Sequence, residues 1–150
     1  MAIDFNAVAQ AIAARFAAAQ ITPPTGENDI ALSTEALPAV IVQEPTVLVF
    51  PPEIEWHYAG SARSGPAVFP VRFYLFRIRD NARNATLTLK WLGSLYQQLD
   101  GQAHLALSDY VATATISGMV PGRLSYGGDE FEGIELSVAV QLWEGLSAGA

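Results

Sequence analysis

Apolar residues along this chain follow two different periods. Phe5, Val8, Ile12 and Phe16 recur at helical spacing with alanines between them, and Asp4 stands where a cap belongs. A helix is therefore expected from there to about Ala19, its alanines allowing close approach of another surface. Near the other end, Ile134, Leu136, Val138, Val140 and Leu142 alternate with Glu135, Ser137, Ala139 and Gln141. A strict period of two predicts a half-buried strand. It follows the glycine-rich acidic turn Tyr126-Gly-Gly-Asp-Glu-Phe-Glu-Gly133.

Between these ends the pattern predicts further elements. Gln20 to Pro38 reads as a loop, because Thr-Pro-Pro-Thr-Gly-Glu-Asn-Asp continues neither a helix nor a central strand. A loop of that length in a compact domain is usually functional or ordered by a partner. Ala39–Gln43 and Thr46–Phe50 are short β-rich runs, and Glu53–Tyr58 alternates with Ile54, Trp56 and Tyr58 on one face. Ala59–Pro66 reads as a turn or loop tip. Ala67–Arg79 is the longest strand candidate. Val71, Phe73 and Leu75 mark one face and Tyr74, Phe76 and Ile78 the other, so it is expected to be central and covered on both sides.

A second helix is expected from Asp80-Asn81 to about Leu99, with Leu89, Leu92, Tyr96 and Leu99 as its buried stripe, widened by Leu95. Gly93 inside it suggests close packing on the sheet, and Asp100-Gly101 stops it. Tyr110–Val120 is another strand, and Pro121-Gly122 begins the turn region before the last one. The order predicts one α+β domain spanning residues 1–150: a mostly antiparallel or mixed sheet with two main helices packed on it.

Composition adds an expectation of association. Of the 150 residues, 51% are hydrophobic and 15% charged, against about 25% charged in ordinary soluble proteins. Apolar material in excess of a core ends on the surface, where it becomes interface. The formal charge of −7 argues against gripping nucleic acid, which needs concentrated Lys and Arg. It does not exclude DNA passing by. Without cysteine the chain has no disulfide, thiolate nucleophile or cysteine-held metal. No leader-like or membrane-length apolar run is visible, so a soluble protein made in a cytoplasm is expected.

Candidate chemistry is sparse. His57, on the polar face of its strand, and His104, after the second helix, have no orienting partner nearby in sequence and read as surface, interface or loop residues. Asp129, Glu130 and Glu132, with Glu135 nearby, read as a solvated acidic loop or as an acidic lining that faces a partner or a DNA channel; their spacing does not match a calcium loop. Arg63 joins these three as a residue expected to face a partner or a lumen. Arg72, Arg77, Arg79 and Arg83 form the main basic concentration and suit ion pairs at a strand end or across a subunit contact. Trp56, Trp91 and Trp143 read as core or subunit-contact residues. No serine sits in a G-x-S-x-G elbow. No catalytic residue, metal or cofactor is expected.

The layout resembles a known family. Val71-Arg-Phe-Tyr-Leu-Phe-Arg-Ile-Arg-Asp80, the helix through Leu89-Lys-Trp-Leu92, and Tyr126-Gly-Gly-Asp-Glu-Phe-Glu-Gly133 with its alternating strand are similar to the corresponding pieces of the tail terminator proteins of long-tailed bacteriophages, also called tail completion or head–tail joining proteins. The resemblance implies a virion structural protein at the head–tail interface, assembled in the host cytoplasm. It implies a ring of identical subunits, in that family a hexamer, that caps the tail tube and ends its polymerisation. The implied partners are the tube protein and the head connector or stopper, with DNA passing through the lumen unbound. Two alternatives stay open: a head-completion or stopper component, and a small ligand-binding or enzymatic domain using His57 and the acidic loop.

Overall fold

The computed structural model describes residues 3–17, 20–59, 62–78, 81–95 and 111–145. Helix α1 (Phe5–Arg15) starts as its sequence predicts, with the Asp4 carboxylate accepting a hydrogen bond from the Ala7 amide at 3.0 Å. Val8, Ile12 and Phe16 are buried, and the helix ends at Arg15 rather than near Ala19. Phe16 meets Phe73 edge-on, with ring centroids 5.3 Å apart.

The strands are β1 (Leu32–Thr34), β2 (Thr46–Val49), β3 (Glu53–Ile54), β4 (His57–Ala59), β5 (Ala62–Arg77), β6 (Val111–Tyr126) and β7 (Asp129–Gly145). They form one mixed seven-stranded sheet in the order β1-β2-β5-β7-β6, with β3 and β4 also on β5. The class is α+β, as expected. Among the described strands only β1 runs parallel, beside β2. It lies inside the stretch expected to be loop. The Ser33 hydroxyl ties it to α1 by donating at 2.6 Å to the Ala13 carbonyl, which also accepts from the Phe16 amide at the helix end. Ala39–Gln43, expected to be β-rich, is not a strand.

β5 is central, but it begins at Ala62, inside the segment expected to be a turn. Two prolines explain its broken neighbour. In an antiparallel strand the N–H and C=O of one residue point to the same side. The Pro70 carbonyl accepts from the Phe50 amide and the Pro66 carbonyl from the Glu55 amide, so both missing N–H groups face the β2–β4 side. The partner chain is interrupted at those two places, between β2 and β3 and between β3 and β4. The β7 side pairs along the whole length, from Ala62 with Gly145 to Arg77 with Phe131.

A register shift between Tyr74 and Phe76 corrects the expected faces. Leu75 and Phe76 both pack with the helix-side core, and Tyr74 alone turns to the other side. Gly133 lies opposite Tyr74, where a Cβ would stand 2.0 Å from the Phe73 carbonyl oxygen, so only glycine fits. β6 does not stop at Val120 but runs through Pro121-Gly122 to Tyr126. Among the described residues it has a partner on one side only, and a proline in an edge strand leaves the ladder intact when its nitrogen faces the free side. Gly127 and Gly128 then turn the hairpin with φ of 58° and 85°, the two left-handed positions of a type I′ turn.

Helix α2 (Asn81–Leu95) packs on β7 and β6 through Thr88, Trp91 and Leu95, all buried, with Leu92 half-buried. The stripe is rotated from the expected one: Leu89 is 65% exposed. Tyr96 and Leu99 lie outside the described residues. Gly93 is exposed and a Cβ there would meet nothing within 4 Å, so it does not serve packing on the sheet. Both helices thus cover one face of the sheet, over Val71, Phe73, Ile134, Leu136, Val138 and Val140. The expectation that both faces of the long strand are covered holds at one end only.

Candidate functional site

That end is built by the segment 35–45, which leaves β1, crosses the far face of the sheet and enters β2. Ile41 drops into a second cluster with Leu48, Tyr74 and Phe131, lined by Phe50, Leu124 and Tyr126. The aromatic rings meet edge-on, Tyr74–Phe131 at 5.3 Å and Tyr74–Tyr126 at 5.6 Å. Polar contacts strap the segment down. Arg77 donates to the Glu44 carboxylate at 3.0 Å and to the Ile41 carbonyl, lies 3.5 Å from Asp129, and stacks over Phe131. The Tyr126 hydroxyl donates to the Pro38 carbonyl. Gly127 lies under Ala39 and Val40, where a Cβ would come within 2.8 Å of the Ala39 carbonyl oxygen.

The strap leaves apolar side chains outside. Val42 is 78% exposed, and Leu37 and Val40 are exposed beside it. Two carboxylates, Glu44 and Asp129, share the single Arg77 guanidinium, so the surface keeps a net negative charge.

Next to the strap no described helix covers the same face. Val68, Pro70, Ala139 and the exposed Val120 and Trp143 share it with Ser137, Gln141, Thr113 and Thr115. Its central charges are Arg72 and Glu135, which neutralise each other at 2.7 Å. Burial pushes the Tyr74 hydroxyl above its ordinary pKa, an effect the neighbouring Arg72 guanidinium opposes.

The residues expected to face a partner or a lumen do not form one group. Arg63 lies at the Ala62 end of β5 with its guanidinium 4.6 Å from the Trp56 ring, whereas the acidic residues sit at the opposite, Arg77 end. Asp129 is bound by Arg77, and Glu132 lies mostly covered, 3.9 Å from Arg123. Glu130 is exposed. The expected ion pairing of the basic residues holds for Arg72 and Arg77; Arg79 and the Arg83 side chain lie outside the described residues. Trp91 is core and Trp143 is exposed on the bare face. His57 is exposed on β4, and His104 lies outside the described residues.

A cavity of about 220 Å³ opens between α1 and the strapped segment, lined by Phe5, Ala9, Leu37, Phe50 and Phe69 with Asn6 and Glu35 at hand. Among the described residues no group of acidic or histidine side chains is placed to hold a metal ion. No helix among them is long and apolar enough to cross a membrane. What sequence reasoning missed is the pairing of Glu44 with Arg77; the only hint was a carboxylate set among apolar residues in Val42-Gln-Glu-Pro45.

No protein-family model matches this chain, and no curated protein sequence matches it.

Proposed function

We propose that this protein is a structural part of a phage virion that closes into a ring on the end of the tail tube, ends tube polymerisation and offers a surface to the head connector. The observation that carries this reading is the bare sheet face. A broad surface of small, apolar and uncharged side chains, its central charges mutually paired and a further carboxylate, Glu53, at its β3 edge, is what a protein presents when another protein covers it. The strapped segment with Val40 and Val42 outside supports the same reading: its polar contacts hold apolar groups in solvent instead of burying them. A formal charge of −7 suits a lumen through which DNA slides, since a cationic lining binds phosphates and retards it. In this reading the protein acts by shape and catalyses no reaction.

The test is assembly. Purified protein added to tail tubes should form closed rings at tube ends, visible by electron microscopy, and deleting its gene should give overlong tails. Tubes that stay uncapped at saturating protein overturn the reading. Finished tails of normal length that fail to join heads assign the protein to the connector.

A further inference from the structure

Helix α2 carries two stripes. Thr88, Trp91, Leu92 and Leu95 face the sheet, while Thr86, Leu89, Lys90 and Gly93 are spaced three and four apart on the outside. The outer stripe is odd for a solvated face. Leu89 is exposed beside Lys90, which has no carboxylate partner among the described residues. Gly93 sits in the last turn of α2, two residues before Leu95, where glycine is a weaker helix former than alanine, and nothing among the described residues requires it. Among the described residues this helix surface offers an apolar side chain, Leu89, a notch at Gly93 and a cation, Lys90, and so has the complementary character of the strapped segment, which offers apolar knobs, Val40 and Val42, beside an excess of carboxylate at Glu44 and Asp129.

We infer that these two surfaces bind each other between copies of the chain: Val40 and Val42 of one subunit seat against Leu89 over the Gly93 notch of the next, with Lys90 facing the Glu44–Asp129 pair. The two surfaces lie on opposite sides of the sheet, since α2 packs on the core face and Ile41 anchors the segment on the other. One subunit therefore cannot satisfy itself, and two cannot satisfy each other symmetrically. The contact is head-to-tail and propagates until it closes. It rests on the ring reading for closure on a tail tube, though not for the contact itself.

The chain has no cysteine, so introduced thiols report alone. Val42→Cys and Leu89→Cys placed in one chain and oxidised with diamide should give a ladder of covalent multimers that collapses under reductant. Each single variant alone should stay monomeric, and the two singles mixed should stop at a dimer. Val120→Cys in place of Val42→Cys should give at least tenfold less product. Gly93→Gln in the double-cysteine chain should raise the melting temperature through better helix propensity, yet cut the ladder at least tenfold. A double variant that stays monomeric, or single variants that dimerise as readily as the mixture, overturns the contact. Ring-capped tubes without this cross-link reject the contact and leave the function standing; a ladder from protein that never caps tubes does the reverse.

Discussion

On β7, Ile134, Leu136, Val138, Val140 and Leu142 are all fully buried beneath the helices, while Glu135, Ser137, Ala139 and Gln141, alternating with them, are only partly covered. The two faces of one strand therefore answer to different demands. The helix side is held by shape-matched apolar packing, in which every side chain counts. The far side is held at one end only, by a small aromatic cluster and a strap of ion pairs. The Arg72–Glu135 pair, with both side chains more than a third exposed, contributes at most about 1 kcal/mol. Folding stability is concentrated on one face, and the other is the one that the proposed function leaves to meet partners.

The sharpest way to break this contrast is to truncate each face in turn. Trp91→Ala should destabilise the subunit by about 3–5 kcal/mol in urea denaturation, because a fully buried indole leaves a cavity. Val120→Ala and Trp143→Ala on the far face should change it by no more than about 0.5 kcal/mol. Equal losses from both faces would end the contrast. Next in size, Gly133→Ala should cost about 1–3 kcal/mol, since its methyl group must push the β5 backbone away. Arg77→Leu should cost about 1–2 kcal/mol by leaving the Glu44 carboxylate and the Ile41 carbonyl short of a donor. Hydrogen exchange should then accelerate across residues 38–44 and hardly at all in β7.

The smallest effect concerns pH. The folded-state pKa of Tyr74 is raised, chiefly by burial, above its ordinary value of 10.0. Its contribution is therefore complete below pH 10 and is lost as pH climbs through the folded value, because the unfolded chain releases that proton first. Tyr74→Phe should flatten the alkaline fall in stability while shifting it near pH 7 by less than about 1 kcal/mol. An unchanged alkaline limb would show that the aromatic cluster is not closed to solvent.

Much of the helix-covered face was legible as periodicity. The α1 stripe and the β7 alternation are properties of single elements, and the Asp4 cap is a local contact. What escaped depends on neighbours. β1 is three residues, Leu-Ser-Thr, too short for a period and visible only once β2 lies beside it. Pro66 and Pro121 read as breakers because their free sides are set by the sheet, not by the residues around them. In α2 the leucines suggested a stripe through Leu89, but Trp91 and Thr88 took the buried positions and turned Leu89 outward. The strap was out of reach for a further reason: Arg77 and Glu44 are 33 positions apart, and no local pattern announces that a particular arginine will meet a particular carboxylate.

The uneven pairing of β5 also sets an order of events during folding. The β6–β7 hairpin closes through neighbouring residues around its two-glycine turn, a step that takes on the order of 1–10 μs. β5 must find β7 across the intervening helix, zipping pairs that run from Arg77 with Phe131 to Ala62 with Gly145. Such distant matching belongs to the millisecond-to-second range of sheet-dominated chains. A preformed hairpin would then wait as a template, its β7 edge open, and crowding at high expression would make that waiting ribbon the species most prone to clump.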